Sequence, residues 1–334
     1  MKYDYKIIGA GLAGITMAER LADKGKSVLL LERRNHIGGN CYDFIHKDVL
    51  IHRYGPHIFH TDNEKVWEYL NQFTEFNDYK HMVKVEVNNK LVDLPINLKS
   101  LQELGLEKGY ETVKYIYKKV FENYSKKQWG KYVSKIDPTI FGRIAVRDNY
   151  ISDYFLDRFQ GLPVFGYTRM FENMLFNKNI EVELNRNKIE IFKSNIPIIY
   201  TGMIDELFGY CYGKLPYRSL DIWFQEHKQP FYQKHPVINY PSKERLTRIT
   251  EYKYMTQQNC MNTIISKEYP CEYKSKKNLP YYPIPTDDTK ALYNKYKKLA
   301  DKIPNLYLLG RLAEYKYYNM DDVVEKALNL SEEL

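Results

Sequence analysis

The feature that most constrains this chain is a glycine-rich turn near its N-terminus, where GAGLAG occupies residues 9–14. An apolar, β-prone segment precedes the turn, a helical pattern follows it, and a second apolar strand ends at Glu32. In such a unit the first glycine permits a tight turn, the second lets the backbone approach a pyrophosphate, and the third lets helix and strand pack closely. The helix N-terminus offers N–H groups to phosphate oxygens, and the acid suits ribose hydroxyls. The pattern therefore predicts a Rossmann-like dinucleotide site.

A second glycine turn follows this acid directly, in the sequence RRNHIGGN at residues 33–40. Folds that bind FAD commonly place another close approach of backbone to cofactor at this point. The arrangement therefore favours FAD over NAD as the dinucleotide.

Length and charge limit the other possibilities. With 334 residues the chain can form two domains, or one large domain with an insertion. The net charge of +8 comes largely from scattered lysines, which indicates a solvated face and suits a small anionic substrate better than a nucleic acid. The four cysteines show no metal-ligand spacing, and no secretory signal is recognisable, so we expect a cytoplasmic protein without metal or membrane insertion.

Beyond the N-terminal unit, the pattern predicts helices interspersed with β-hairpins. The main expected elements are a helix at Val66–Phe73, a hairpin at His81–Leu94 around Asn88 and Asn89, helices within Leu98–Lys127 broken near Gly105–Gly109, and antiparallel strands in Arg218–Glu268.

Several short motifs occur in a fixed order along the chain. They are GPHIFHT at 55–61, KKQWG at 126–130, YRSL at 217–220, TRI at 247–249, PYYP at 280–283 and GRLAEYKYY at 310–318. Together with the N-terminal unit, this ordered set closely resembles the bacterial type of UDP-galactopyranose mutase, and the resemblance covers essentially the whole chain.

The resemblance implies an α/β fold with a Rossmann-like FAD-binding domain, an interleaved helical domain and an antiparallel β-sheet domain. The implied boundaries are 1–75 with 180–215 and 300–334 for the FAD-binding domain, 96–150 for the helical domain with a mobile loop at 134–146, and 76–95 with 151–179 and 216–299 for the substrate-binding sheet layer.

The implied activity is the interconversion of UDP-galactopyranose and UDP-galactofuranose, which supplies galactofuranose for cell-surface glycans. In that family the flavin must be reduced, by a cellular reductant such as NAD(P)H, although the reaction has no net redox change. Reduced N5 attacks the anomeric carbon, UDP leaves, and a covalent flavin–sugar adduct allows the ring to open and reclose. The protein then has to hold a diphosphate and orient a sugar over the flavin.

The resemblance also assigns site residues. Arg143 and Arg248 match the arginines that clamp the diphosphate, and guanidinium groups suit this because they donate paired hydrogen bonds to phosphate oxygens. They form the predicted catalytic set together with His57 and His60. The predicted substrate-binding residues are Tyr124, Trp129, Tyr154, Arg218, Tyr282, Tyr317, His81 and Asn319. The predicted cofactor-binding residues are Gly9, Gly11, Gly14, Glu32, Arg33, Gly39, Asn40, His57 and Arg311.

Two features depart from the family pattern. The segment between Pro95 and Tyr124 is shorter than usual, which predicts a monomer or a non-standard homodimer. Asn319 occupies a position where the family normally has aspartate, which bears on substrate choice. The alternatives are a mutase of UDP-N-acetylgalactosamine or dTDP-fucose, a flavin oxidoreductase of the same fold, and a non-catalytic nucleotide-sugar binder.

Overall fold

The computed structural model describes residues 2–135, 146–186, 195–275 and 277–334. The strands are β1 Tyr5–Ile8, β2 Val28–Leu31, β3 Asp43–His46, β4 Val49–His52, β5 Phe59–Thr61, β6 Val83–Val87, β7 Lys90–Leu94, β8 Phe159–Gly161, β9 Ile180–Glu183, β10 Ile198–Tyr200, β11 Tyr217–His227, β12 Val237–Asn239, β13 Arg248–Glu251, β14 Thr263–Glu272, β15 Tyr282–Pro283 and β16 Leu306–Leu308. The α-helices are α1 Leu12–Asp23, α2 Glu64–Asn71, α3 Leu98–Leu104, α4 Tyr110–Ile116, α5 Asn123–Trp129, α6 Tyr167–Met174, α7 Ile204–Leu207, α8 Lys253–Thr256, α9 Asp287–Ala300 and α10 Met320–Glu333.

A parallel sheet forms the first layer, with the order β16-β10-β1-β2-β9 among the described strands. Its central strands are almost fully buried, as expected when helices cover a parallel sheet. Helix α1 packs against it and against α10. Helix α6 joins the same core through Tyr167 and Phe171, which are fully buried. The Rossmann-like fold predicted from the sequence is confirmed.

A second sheet has the order β15-β11-β14-β13-β12-β6-β7 among the described strands and is antiparallel except where β12 runs beside β6. The hairpin β6–β7 turns at Asn88 and Asn89, whose φ angles of 50° and 63° are the left-handed values that a two-residue hairpin turn requires. The longest strands of this sheet, β11 and β14, pair with each other near its β15 edge.

Helices α3, α4 and α5 cover one face of the second sheet. The predicted break occurs at Gly105, which ends α3 in the left-handed conformation. Between α4 and α5 the residues Tyr117–Glu122 form a π-helical stretch, which the sequence pattern did not predict. Ile116 and Val120 point into the core with the sheet valines, so this short helical layer buries part of its apolar stripe internally. Within the described ranges, no helix combines the length and apolarity needed to cross a bilayer.

Candidate active site

A cleft follows the carboxyl ends of β1 and β2, and we call it the dinucleotide cleft. The two glycine turns pack against each other here, with the Gly38 N–H donating to the Ala10 carbonyl over 2.7 Å. A Cβ on Gly39 would lie 2.8 Å from the Cα of Gly11, and the φ of Gly39 is 56°, so position 39 needs glycine. Gly14 faces away from the cleft, where a Cβ would overlap the carbonyl of Gly9. The first turn thus opens the backbone to a ligand while the helix packs closely behind it.

Glu32 is held at the end of β2 by backbone donors. Its carboxylate accepts hydrogen bonds from the N–H of Ala10, at 2.8 Å, and from the N–H of Arg34, at 2.9 Å. Each carboxylate oxygen has a further lone pair for a ribose hydroxyl. The acid is therefore fixed where the sequence predicted it.

Arg34 is a functional candidate that the sequence-based prediction missed. Its Nη2 donates to the side chain of Asn40 over 2.9 Å, while its buried Nη1 has no hydrogen-bond partner among the described residues. Arg34 lines the dinucleotide cleft, where an unpaired guanidinium N–H suits an anionic ligand. The predicted Arg33 lies at the rim and forms an ion pair of 3.1 Å with Glu206.

The dinucleotide cleft has a volume of about 380 Å³. It runs from Glu32 and the glycine turns to His57 and Arg311. The predicted cofactor residues that line it are Gly9, Gly11, Glu32, Arg33, Gly39, Asn40, His57 and Arg311.

A second cleft of about 290 Å³ adjoins the first. One end is apolar and aromatic, built from the inner strands of the second sheet and the helices that cover it. The residues there include Val83, Val85, Val120, Phe121, Tyr124 and Tyr154. The other end is polar and contains Arg248, Tyr282, Tyr317 and Arg311. The second cleft therefore offers an apolar pocket joined to a cationic one.

Arg248 enters the second cleft from β13 and is oriented by Glu268 on the neighbouring strand β14. Its Nε donates to the Glu268 carboxylate over 2.8 Å. Burial lowers the pKa of Arg248, but Glu268 outweighs this and holds the pKa well above its usual value. Glu268 is 1% exposed, and its other oxygen has no partner among the described residues. The carboxylate thus fixes a permanent cation beside the cleft.

Two tyrosines flank Arg311 at the polar end. The rings of Tyr282 and Tyr317 are stacked with centroids 5.9 Å apart, and the guanidinium lies over them at 5.6 Å and 5.1 Å. Its Nη2 also donates to the Tyr318 carbonyl over 2.5 Å. Burial raises the pKa of Tyr282, so its hydroxyl stays protonated as a donor. These groups can donate hydrogen bonds to a diphosphate.

The predicted histidines meet near the junction of the clefts. Nδ1 of His57 donates to the carbonyl of Gly55 over 2.8 Å, and burial lowers the pKa of His57 to about 3. Burial likewise lowers the pKa of His81 to about 3. Nδ1 of His60 lies 3.2 Å from Oδ1 of Asp157, and the His60 ring stacks on that of Phe155 with a centroid distance of 3.6 Å. Because His57 and His81 are neutral at physiological pH, they can orient ligands but cannot supply a cation.

Trp129 and Arg218, both predicted to bind substrate, lie behind the second cleft instead of lining it. Trp129 is 6% exposed and packs edge-on against Tyr282. Arg218 donates to the carbonyls of Gln128 and Lys127 and so caps the C-terminus of α5. Both residues support the groups that line the cleft. The predicted Arg143 lies outside the described residues.

Asn239 is a second candidate that the sequence did not indicate. It pairs with Arg248 across β12 and β13 and lines the second cleft. It is 8% exposed, and its side-chain oxygen has no hydrogen-bond partner in the described part of the chain. A ligand in the second cleft can satisfy this amide oxygen by donating a hydrogen bond to it. Only the strand register could have revealed it.

The two clefts share four lining residues, which are His57, Arg311, Asn319 and Met320. Asn319 immediately precedes α10, and its backbone N–H donates to the Asp322 carboxylate over 2.8 Å. A ligand that fills the dinucleotide cleft as far as Arg311 would therefore face a ligand in the second cleft. No group of side chains suited to hold a metal ion occurs in the described ranges.

Known proteins resemble this chain along its whole length. Residues 119–317 match the family model "UDP-galactopyranose mutase", and residues 7–73 match "NAD(P)-binding Rossmann-like domain". The chain is 36% identical to a UDP-galactopyranose mutase of Mycoplasma pneumoniae, covering 100% of this chain and 96% of the relative. It is 34% identical to a dTDP-fucopyranose mutase of Escherichia coli, covering 98% and 97%. A crystal structure of reduced UDP-galactopyranose mutase matches its fold with a TM-score of 0.79 at 14% identity, over 99% of this chain and 95% of that one.

Proposed function

The chain belongs to the UDP-galactopyranose mutase family, a family of isomerases, and we propose that it interconverts UDP-galactopyranose and UDP-galactofuranose on reduced FAD. The observation that carries this proposal is the junction of the two clefts at His57, Arg311 and Asn319. A dinucleotide in one cleft and a nucleotide sugar in the other would meet at this junction.

The dinucleotide cleft fits FAD. The glycine turns line the cleft with bare backbone that suits a pyrophosphate, Glu32 suits the ribose, and the buried Nη1 of Arg34 has no hydrogen-bond partner among the described residues. In this fit the Glu32 end would hold the adenosine half, and the His57 and Arg311 end would hold the flavin ring. Reduced FAD would supply a nucleophilic nitrogen for the anomeric carbon of the sugar.

In the second cleft, the protein's own task is to bind and orient the substrate. Arg248 would donate to the diphosphate, with Tyr282 and Tyr317 completing the set and Arg143 proposed as a second clamp. Negative charge on the diphosphate grows as the anomeric bond breaks, so these donors stabilise the transition state more than the ground state. Tyr124 would stack on the uracil at the apolar end, with Tyr154 beside it.

Neutral histidines suit a site that already holds two arginines, because they add no further positive charge to it. The depressed pKa values of His57 and His81 keep both rings uncharged beside the two arginines. His57 would then hold the flavin edge, while His60 and His81 would shape the sugar pocket. Substrate positioning, not proton transfer, is their proposed contribution.

The nearest alternative is a mutase of another nucleotide sugar, which the dTDP-fucopyranose relative supports. Asn319 bears on the choice of sugar, because it places a neutral amide at the junction, where the sugar would lie. The deciding experiment incubates the reduced holoenzyme with UDP-galactofuranose, UDP-N-acetylgalactosaminofuranose and dTDP-fucofuranose in parallel and quantifies ring conversion by HPLC. We expect the highest kcat/KM for UDP-galactofuranose, and a clear preference for either of the others would replace the proposal by that mutase.

Oxygen-linked or NADPH-linked turnover of an amine or polyene without any ring conversion would favour a flavin oxidoreductase instead. Binding of UDP without any turnover would favour a nucleotide-sugar binder. A cytoplasmic location, a cellular reductant such as NAD(P)H and a role in supplying galactofuranose for surface glycans complete the proposal.

The short helical layer supports a monomer or a non-standard homodimer. Of its apolar stripe, Ile116 and Val120 are buried, whereas Val113 and Tyr117 are 42% and 52% exposed. These two exposed side chains can bury only a small part of the roughly 1,200 Å² of surface that a stable protein–protein interface buries in total. Light scattering on the holoenzyme tests this, and a dimer cross-linked through residues outside 96–123 would contradict it.

A further inference from the structure

Lys127 holds a turn of the second sheet although it lines neither cleft. Its ammonium group donates to three backbone carbonyls, those of Tyr240, of Lys243 at 2.7 Å and of Leu246 at 2.8 Å. An ammonium group has three N–H donors, so these bonds use all of them. Burial lowers the pKa of Lys127 to about 8, which still leaves the side chain protonated at neutral pH.

The three carbonyls belong to the turn between β12 and β13. That turn is flanked by Asn239, which ends β12, and by Arg248, which begins β13. On the helix side, Lys127 lies one turn after Tyr124, and both are part of α5. Lys127 therefore ties the wall of the second cleft that carries Tyr124 to the wall that carries Asn239 and Arg248.

Placing an ammonium group in this half-buried position has a cost, because its hydration is partly lost. An apolar side chain would fill the same space without that cost, but it would leave three carbonyls unpaired and the turn unattached to the helix. The three hydrogen bonds of Lys127 therefore fix the position of α5 relative to the β12–β13 turn. Tyr124 and Arg248 can contact one ligand together only if that distance is fixed.

We propose that Lys127 is a positioning residue that sets the spacing between the aromatic and cationic walls of the second cleft and thereby its affinity for the nucleotide. This inference rests on the proposed function, in which the uracil and the diphosphate occupy these two walls. Since the uracil is held equally before and during ring conversion, misplacing the wall that carries Tyr124 should raise KM more than it lowers kcat.

The test compares Lys127→Met with Lys253→Met in the holoenzyme. Lys253 is a matched control, since it is 3% exposed and also donates to backbone carbonyls, those of Pro230 and Cys260, but lines neither cleft. Both variants should lower the melting temperature. Only Lys127→Met should weaken UDP binding and raise KM, each by about tenfold or more, with kcat within about threefold of the parent. UDP binding is measured by calorimetry, independently of turnover.

If Lys127→Met does not retain FAD, the same comparison is made with Lys127→Gln, which keeps a polar side chain but cannot reach all three carbonyls. An unchanged UDP affinity in a folded Lys127 variant would overturn the inference, as would an equal loss of affinity in Lys253→Met. If the parent holoenzyme does not bind UDP at all, the proposed function fails together with the inference, so the two failures are distinguishable.

Discussion

The dinucleotide cleft is built largely from backbone, whereas the second cleft is built from side chains that reach it from distant parts of the chain. In the first, glycine turns at 9–14 and 38–39 pack against each other within one contiguous segment. In the second, Tyr124, Arg248, Tyr282 and Tyr317 come from separate elements. A backbone site tolerates few substitutions but leaves a clear local signature. A side-chain site can change its ligand by single substitutions and leaves almost none.

The largest effect is expected from removing the fixed cation of the second cleft. Arg248→Ala loses charge-assisted hydrogen bonds of about 1.5–3 kcal/mol each, so the loss of two would lower kcat/KM about 10²- to 10⁴-fold. FAD should remain bound, because Arg248 does not line the dinucleotide cleft. The matched control is Arg245→Ala, an exposed arginine on the same turn. We expect Arg143→Ala to behave like Arg248→Ala.

Kinetics and the flavin absorbance spectrum provide the two readouts. Near-normal turnover in Arg248→Ala would show that the diphosphate binds elsewhere. Loss of FAD from that variant would show that FAD binding depends on a residue of the second cleft, which the separate lining of the two clefts does not predict.

The next effect should come from the backbone of the dinucleotide cleft. Gly39→Ala places a Cβ 2.8 Å from Gly11 at a φ of 56°, so the two turns must separate. Overpacking costs about 1–3 kcal/mol and left-handed backbone about 1–2 kcal/mol, so FAD affinity should fall at least tenfold. Gly25→Ala is the control, since its φ is also positive, at 78°, but nothing lies within 4 Å of the added carbon.

FAD content after gel filtration distinguishes these variants. Gly25→Ala should lose only some stability and keep its cofactor. Equal FAD retention in both variants would mean that the contact of the two glycine turns does not shape the cofactor site.

This difference in construction explains what the sequence could predict. The glycine turns, Glu32 and the Rossmann-like sheet follow from local pattern, because each residue acts within one strand–turn–helix unit. The hairpin at Asn88 and Asn89 was also predictable, since its turn chemistry is local. The motif resemblance then assigned most residues of the second cleft, and the structure brings these together, although their roles stay predictions.

Other features depend on tertiary neighbours. Strand register places Asn239 and Glu268 beside Arg248. Lys127 instead contacts carbonyls of a turn more than a hundred residues away in the chain. The π-helical stretch Tyr117–Glu122 has no pattern of its own, because one additional residue in a turn leaves helical spacing nearly intact. Trp129 and Arg218 show the converse, since their motifs predicted a ligand contact whereas the structure gives them packing and capping roles.

A smaller effect is expected at the apolar end of the second cleft. Tyr124→Leu keeps an apolar surface but removes the aromatic face, and stacking on a base contributes about 1–3 kcal/mol. UDP affinity should therefore fall about 5- to 150-fold, with kcat much less affected. Tyr117→Leu is the control, because Tyr117 lies in the same helical layer but is 52% exposed. Equal UDP affinity in both variants would remove Tyr124 from the nucleotide site.

The last prediction concerns the dependence of stability on pH, which does not act on catalysis directly. Burial lowers the pKa of His52 and of His81 to about 3, whereas an unfolded histidine titrates near 6.5. The unfolded chain therefore binds more protons between these values, and the free energy of unfolding should fall by about 1.4 kcal/mol per pH unit for each histidine below pH 6. Above pH 7 neither histidine should contribute any dependence.

Urea unfolding of the holoenzyme between pH 4.5 and 7.5 measures this slope. His81→Gln should reduce the slope by one histidine's share relative to the parent. An identical slope in His81→Gln and the parent would contradict the burial of a neutral imidazole beside the second cleft.

We propose that the two clefts act as one site, in which reduced FAD would meet a nucleotide sugar at His57, Arg311 and Asn319. The most direct measurement incubates UDP-galactofuranose with the yellow, oxidised holoenzyme and with the same protein reduced by dithionite, and follows UDP-galactopyranose by HPLC. We predict conversion by the reduced protein and none by the oxidised protein, with no net consumption of reductant. Equal conversion by both forms, or no conversion by either form with FAD fully bound, would contradict the account.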